Sequence, residues 1–155
     1  MARAFVGLGS NLGDREATLS RAIELLGAHE GIALTAVSSF RETDPVGYLD
    51  QPPFLNGAVA VETSLAPGEL LATLLEVERE LGRTREGPRY GPRTVDLDLL
   101  LIDGVMVDEP GLTVPHPRLH EREFALAPLA ELDPKLVVPG LGPVARLLDQ
   151  LESSS

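Results

Sequence analysis

Six segments with a regular hydrophobic pattern fill the first 102 residues, and their order restricts the folds that the chain can adopt. Apolar or alternating runs predict strands over 2–9, 32–40, 54–63 and 94–102. Apolar residues at helical spacing predict one helix over 15–27, capped by Asp14, and another over 67–82 that begins at a proline. The order strand, helix, strand, strand, helix, strand is that of the ferredoxin-like βαββαβ arrangement. We therefore expect an α+β fold with a mostly antiparallel sheet and both helices on one face.

The last third of the chain has to cover the other face of this sheet. The pattern predicts an extended segment over 112–117 and helices over 124–132 and 144–151. Because apolar sheet faces must be buried, these helices are expected to complete an α/β/α sandwich. No segment has the composition of a linker, so the sequence predicts one domain over 1–155 with a frayed tail at 152–155.

The composition argues against several classes of protein. The chain has no cysteine, which rules out disulfides, zinc thiolates, iron–sulfur clusters and a thiol nucleophile. No apolar run approaches the roughly 18 residues of a membrane span, and the N-terminus lacks the apolar region of a signal peptide. A net charge of −11 disfavours a general nucleic-acid binder. We therefore expect a cytoplasmic protein without membrane or nucleic-acid partners.

Two predicted loops, 41–53 and 83–93, are rich in glycine and proline and have lengths at which loops are often functional. Five of the twelve arginines lie between residues 79 and 93. Guanidinium groups bind phosphate oxygens bidentately and stay charged at any working pH. On an acidic chain this cluster indicates a small anionic ligand, although solvated charge at a helix end explains it equally well.

Asp96 and Asp98 lie in an otherwise apolar strand, TVDLDLLLI at 94–102. Residues two apart on a strand point to the same face with Cα atoms about 6.5–7 Å apart, so both carboxylates can converge on one site. An oxygen-only site with few protein ligands suits Mg²⁺, which also binds substrate phosphates. Solvated aspartates at an exposed strand end are the alternative. The adjoining arginines favour a Mg–nucleotide site, and His116 and Arg122 can reach the same phosphates, although a structural turn is the simpler explanation for His116.

Phe54 and Asn56 share a strand face, and an aromatic plane beside an amide suits a flat heterocycle. Phe124 can form the opposite wall, while core packing is the alternative for each phenylalanine. The glycines at 7–13 have the spacing G-x-G-x-x-x-G, which fits no nucleotide-binding fingerprint. A plain strand-to-helix turn is therefore expected there.

Four motifs occur in order along the chain: GSNLG at 9–13, DQPPFLN at 50–56, GPRTVDLD at 91–98 and LTVPHP at 112–117. Together they closely resemble the 6-hydroxymethyl-7,8-dihydropterin pyrophosphokinases of the folate pathway, from about residue 3 to residue 148. Enzymes of this family transfer pyrophosphate from ATP to the hydroxymethyl group of the pterin and release AMP. Their ferredoxin-like α/β/α sandwich agrees with the order of elements above.

The resemblance implies roles for residues at the matching positions. Asp96 and Asp98 would hold two Mg²⁺ ions on the ATP phosphates, and Arg83 and Arg93 would neutralise the transferring group. The ATP site would be lined by Glu78, Arg85, Tyr90, Leu99, His116 and Arg122. The pterin pocket would consist of Thr43, Val46, Phe54, Asn56 and Phe124, with the ring stacked between the two phenylalanines.

The resemblance thus implies a Mg-dependent diphosphotransferase, and we expect the chain to be a monomer. One alternative is a non-catalytic nucleotide-binding module of ferredoxin-like fold, which would bind ATP without releasing AMP; the aspartate pair beside arginines argues against it. Another is an RNA-binding module with the same element order, which needs exposed aromatic residues on a basic sheet face. Six aromatic residues and a net charge of −11 disfavour that module.

Overall fold

The long strands and helices predicted from the sequence are present in the computed structural model, which describes residues 1–11, 14–43, 53–83 and 95–153. The first part of the chain forms β1 (Ala2–Ser10), α1 (Arg15–Gly27), β2 (Ile32–Val37), β3 (Arg41–Thr43), β4 (Phe54–Thr63), α2 (Pro67–Arg83) and β5 (Val95–Ile102). The last part forms β6 (Val107–Glu109), β7 (Leu112–Val114), a 3₁₀ turn (Leu119–Glu121), α3 (Glu123–Leu132), β8 (Val137–Val138), β9 (Gly142–Pro143) and α4 (Val144–Ser153).

The sheet has the strand order β2–β4–β1–β5, and every pairing in it is antiparallel. β3 pairs with β4 beyond the end of β2, on the same side. The central strand β1 is mostly apolar, because it has a neighbouring strand on each edge and a hydrophobic core on each face. The predicted βαββαβ order and antiparallel sheet are confirmed.

Each face of the sheet has its own hydrophobic core. The period of two along β1 sends Phe5 and Val6 to opposite faces. Val6 packs with Leu19 of α1 and Leu74 of α2, whereas Phe5 packs with Leu126 of α3 and with α4. The predicted placement of the early helices on one face and the late helices on the other is confirmed.

The boundaries and short elements differ from the sequence prediction. β2 ends at Val37 rather than at residue 40, and β3 lies within the predicted loop 41–53, because its three residues pair with β4. α2 continues one residue past Gly82, and α4 continues to Ser153, into the predicted frayed tail. The hairpins β6–β7 and β8–β9 were not predicted. In the described ranges no helix is long and apolar enough to cross a membrane.

Candidate active site

Two pairs of predicted site residues lie on one face of the sheet. On β4, Phe54 and Asn56 alternate with residues that face α1 and α2, so they share the face covered further along by α3 and α4. On β5, Asp96 and Asp98 occupy the same face for the same reason. The structure therefore brings the candidate pterin-binding pair and the candidate metal-binding pair to a common surface.

Two glycines of β1 separate these pairs. In the register of the sheet, Gly9 lies between Asn56 and Asp96, and Gly7 lies next to Asp98. Neighbouring strands are about 4.8 Å apart, so the backbones of Asn56 and Asp96 are about 10 Å apart. Because Gly9 lies between them, no side chain separates them on this face of the sheet. A Cβ atom at Gly9 would lie 2.8 Å from Oδ1 of Asn56. Gly7 and Gly9 lie inside β1, as the strand predicted over 2–9 requires, so of the glycines in this segment they belong to the strand and not to the turn that follows it.

Glu78 of α2 supports the aspartate pair from the edge of β5. Its Oε2 atom accepts a hydrogen bond of 2.6 Å from the backbone N–H of Leu97, the residue between Asp96 and Asp98. Burial raises the pKa of the Glu78 carboxyl, the Leu97 N–H lowers it, and the charges of Asp96 and Asp98 raise it. Glu78 thus lies near the predicted site, but its contact is with the backbone that carries the aspartates.

His116 and Arg122 lie beside Asp98. The backbone N–H of His116 donates a hydrogen bond of 2.8 Å to the carbonyl oxygen of Leu100. Nη1 of Arg122 lies 3.9 Å from Oδ2 of Asp98. Burial lowers the pKa of His116, Arg122 lowers it further, and Asp98 partly opposes both. Nδ1 of His116 accepts a hydrogen bond of 3.2 Å from the backbone N–H of Arg118, so the neutral ring carries its proton on Nε2. A neutral imidazole donor and a guanidinium therefore flank this carboxylate.

A cavity of about 330 Å³ adjoins His116. It lies between the hairpins β6–β7 and β8–β9, and its lining includes Thr113, Pro117 and Leu141. Its volume falls in the range of small-molecule pockets, about 300–1,000 Å³.

The candidate pterin-binding residues are held by polar contacts. Nδ2 of Asn56 donates to Oγ1 of Thr43, and Asn56 is only 7% exposed, so its amide is fixed in orientation. Phe54 is half-buried at the start of β4, and Phe124 is exposed at the start of α3. The Arg122 guanidinium lies over the ring of Phe124, 5.5 Å from its centroid. Since Arg122 also approaches Asp98, it joins the two halves of the site.

Leu99 is placed apart from this face. Its side chain is 5% exposed and packs in the core beneath α1 and α2, opposite the face of Asp98. The remaining predicted site residues fall outside what the structure describes: the side chain of Arg83 at the end of α2, and all of Val46, Arg85, Tyr90 and Arg93.

The aspartate pair fits a magnesium ion that also binds phosphate. Within the described ranges, no group of three or more His, Cys, Asp or Glu side chains could hold a metal ion by itself. Mg²⁺ commonly takes one or two protein carboxylates, several waters and substrate phosphates. Asp96 and Asp98 supply hard oxygen ligands on one strand face, and a bound cation would relieve the repulsion between them and Glu78.

Comparison with known proteins identifies the family. Residues 5–134 match the model of the family described as 7,8-dihydro-6-hydroxymethylpterin-pyrophosphokinase (HPPK). The chain is 56% identical over 129 residues to the 2-amino-4-hydroxy-6-hydroxymethyldihydropteridine pyrophosphokinase of Bacillus subtilis. The aligned region covers 83% of this chain and 77% of the Bacillus protein. It is 48% identical over 140 residues to the protein of the same name from Methylorubrum extorquens, over 90% of this chain and 88% of that one.

Solved structures share the fold. A crystal structure of HPPK-DHPS in complex with substrates matches 99% of this chain with a TM-score of 0.78 at 11% identity, and Plasmodium falciparum HPPK-DHPS matches 98% with a TM-score of 0.74 at 13% identity. This chain spans 44% and 46% of those longer chains.

The family match and the two relatives confirm the resemblance that the four sequence motifs indicated. The chain belongs to the 7,8-dihydro-6-hydroxymethylpterin-pyrophosphokinase family.

Proposed function

We propose that this chain transfers pyrophosphate from ATP to the hydroxymethyl group of 6-hydroxymethyl-7,8-dihydropterin, with release of AMP, as the pyrophosphokinase step of folate biosynthesis. The observation that carries the proposal is the common sheet face on which Phe54 and Asn56 stand across Gly9 from Asp96 and Asp98. Family membership favours this enzyme over a non-catalytic nucleotide-binding module.

The pterin binds on the β4 side of this face. Its ring stacks between Phe54 and Phe124, and the fixed amide of Asn56 offers both a donor and an acceptor to the heterocycle edge. Thr43 supports that amide, and the family resemblance assigns Val46 to the same pocket. The substrate lies over Gly7 and Gly9 of β1, so its hydroxymethyl group points toward β5.

The ATP phosphates bind on the β5 side. Asp96 and Asp98 hold the Mg²⁺ ions, which, when bound, offset the negative charge of the phosphates. Arg122 and the Nε2–H of His116 bind phosphate oxygens beside Asp98. The nucleoside extends from His116 into the adjoining cavity. The arginines at the end of α2 and in the segment that follows it add further positive charge: Arg83, Arg85 and Arg93.

The reaction is an in-line attack of the pterin hydroxyl on the β-phosphorus, because two phosphates leave ATP together. A bond forms between the hydroxyl oxygen and the β-phosphorus, the hydroxyl proton leaves to solvent water, and the bond from that phosphorus to the α–β bridging oxygen breaks. AMP departs with the electron pair on the bridging oxygen. Arg122 and His116 supply donors for the charge that develops on the phosphates, and the pterin pocket holds the hydroxyl in line.

Substitution of the aspartates tests this assignment. We expect Asp96→Ala and Asp98→Ala each to lower AMP release at saturating Mg²⁺ by about 10²–10³-fold, or about 3–4 kcal/mol, because each removes a hard oxygen ligand. The melting temperature of the ligand-free protein should stay or rise, since a repulsion between carboxylates is removed. Asp149→Ala, an exposed aspartate on α4, is the matched control and should leave turnover unchanged.

Near-normal turnover in either site variant would contradict the metal assignment. Assays of the unmodified protein with and without 6-hydroxymethyl-7,8-dihydropterin separate the enzyme from the alternative. ATP binding without pterin-dependent AMP release would favour the non-catalytic module.

Three finer points belong to the proposal: two Mg²⁺ ions per site, a monomer, and a cytoplasmic location. Two carboxylates on one strand face support more than one Mg²⁺ ion, because each ion needs only one or two protein carboxylates beside substrate phosphates. Metal titration in the presence of an ATP analogue and sedimentation analysis would test the first two.

A further inference from the structure

Arg15 connects two strands that flank the candidate pterin pocket. Its Nη1 atom donates to the carbonyl oxygen of Pro53 over 2.8 Å, and its Nη2 atom donates to Oε2 of Glu42 over 2.8 Å. Pro53 directly precedes Phe54, and Glu42 directly precedes Thr43. One guanidinium therefore holds the chain immediately before each of two predicted pterin-binding residues. We call these three residues (Arg15, Glu42 and Pro53) the Arg15 brace.

The brace acts at the last rungs of a short strand pair. β3 has three residues, with Glu42 opposite Leu55 and Thr43 opposite Phe54 on β4. A strand of this length has few ladder hydrogen bonds to fix its position. Leu55 packs on the core beneath α1 and α2, so the brace supports the strand pair from the face opposite the pterin pocket.

The helix itself gains nothing from an arginine at this position. Arg15 is the first residue of α1, where its positive charge interacts unfavourably with the positive end of the helix dipole. The helix is capped by Asp14, whose side chain accepts a 3.1 Å hydrogen bond from the backbone N–H of Ala17. The Arg15 side chain is nevertheless 26% exposed, against 54% for Arg21 of the same helix. The contacts with Glu42 and Pro53 account for this placement.

We propose that Arg15 is a positioning residue for pterin binding, which acts through Glu42 and Pro53 on Thr43 and Phe54 without touching the substrate. This inference rests on the proposed pterin pocket. Because no part of the brace lies at Asp96 or Asp98, its loss should affect the pterin and spare ATP.

Equilibrium titrations of each ligand separately test the inference. We expect Arg15→Ala to raise the dissociation constant of 6-hydroxymethyl-7,8-dihydropterin about tenfold, because the binding-competent placement of Thr43 and Phe54 would then be populated only about a tenth of the time, and to leave that of Mg–ATP unchanged. Arg15→Lys should recover part of the affinity, since an ammonium can still pair with Glu42. Arg21→Ala is the matched control on the same helix and should change neither constant.

Glu42→Gln is a second variant that tests the inference, because it weakens the ion pair with Arg15 and leaves α1 intact. It should also raise the pterin dissociation constant selectively, and it replaces Arg15→Ala if that variant fails to fold. An equal loss for both ligands, or a lower melting temperature with unchanged pterin affinity, would overturn the inference.

Phe54→Ala, measured in parallel, separates failure of the brace from failure of the pocket. If Phe54→Ala weakens pterin binding and the brace variants do not, only the inference about Arg15 is wrong. If Phe54→Ala also leaves pterin binding unchanged, the proposed pocket is wrong, and the role of Arg15 falls with it.

Discussion

At the scale of single residues, the smallest side chain of the site is as informative as its charged ones. Gly9 lies between the pterin and phosphate sides of the sheet face, and an added methyl group would meet Oδ1 of Asn56 at 2.8 Å. Asn56 is buried and bonded to Thr43, so it cannot move aside without losing that bond. We expect Gly9→Ala to weaken pterin binding by about 1–3 kcal/mol, the usual effect of disrupting a buried hydrogen bond, with little change in ATP binding.

The control for this substitution is Gly68→Ala in α2, where an added Cβ atom would have nothing within 4 Å. It should leave both affinities unchanged. Titration of each ligand against both variants gives the comparison. Unaltered pterin affinity in Gly9→Ala would mean that the pterin does not lie across β1.

At the scale of elements, one carboxylate ties α3 to the chain that enters β3. Glu131 accepts hydrogen bonds of 2.7 Å from both the hydroxyl and the backbone N–H of Ser39, and it also pairs with Arg41 at 3.5 Å. The Ser39 hydroxyl, the Ser39 N–H and the Arg41 charge hold the pKa of this carboxyl below its usual value. β3 is therefore supported by α3 at its start and by α1, through Arg15, at its end.

The lowered pKa of Glu131 makes this contact sensitive to acid. A carboxyl whose pKa is lower in the folded state stabilises the fold above its unfolded pKa of about 4.3, and the contribution is lost as the pH falls through the folded value. We expect Glu131→Gln to be less stable than the unmodified protein at neutral pH and to lose less stability on acidification. Urea unfolding over this pH range should show the two curves converging; parallel curves would contradict the prediction.

The sequence was sufficient for the long elements and for part of the site. β4 and β5 are long enough for a period of two to be visible in the sequence. It therefore followed directly that Phe54 and Asn56 share one face of their strand and that Asp96 and Asp98 share one face of theirs. The chemistry of an aspartate pair beside arginines also depends only on local sequence.

Contacts between distant segments could not be predicted in the same way. β3 has three residues and no measurable period, and it exists because β4 pairs with it. The place of Gly9 between Asn56 and Asp96 depends on the register of three strands. The hydrogen bond from Leu97 to Glu78 and the Arg15 brace likewise join residues that no local pattern relates.

At the scale of the whole molecule, the sheet separates the proposed substrate-binding face from supporting contacts. The candidate ligand-binding residues of β4 and β5 stand on the face that α3 and α4 cover further along. Arg15 of α1 contacts β3 and the residue before β4, and Glu78 of α2 contacts β5 at the edge of the sheet. Arg122 touches both halves, but Arg15 and Glu78 support the pterin and phosphate halves separately, so each half should respond to its own substitutions.

Ligand-induced stabilisation measures this independence in the intact protein. A ligand that binds only the folded chain at 100 times its dissociation constant adds about 2.7 kcal/mol, which for a chain of this size corresponds to about 5–10 °C in melting temperature. We expect Asp98→Ala to lose the shift caused by Mg–ATP and to keep the shift caused by the pterin, and Phe54→Ala to do the reverse. Melting curves with each ligand alone, at the concentrations that saturate the unmodified protein, provide the measurement. If either variant loses both shifts to the same extent, the two halves form one coupled unit, and the separation of their supports across the sheet has no energetic consequence.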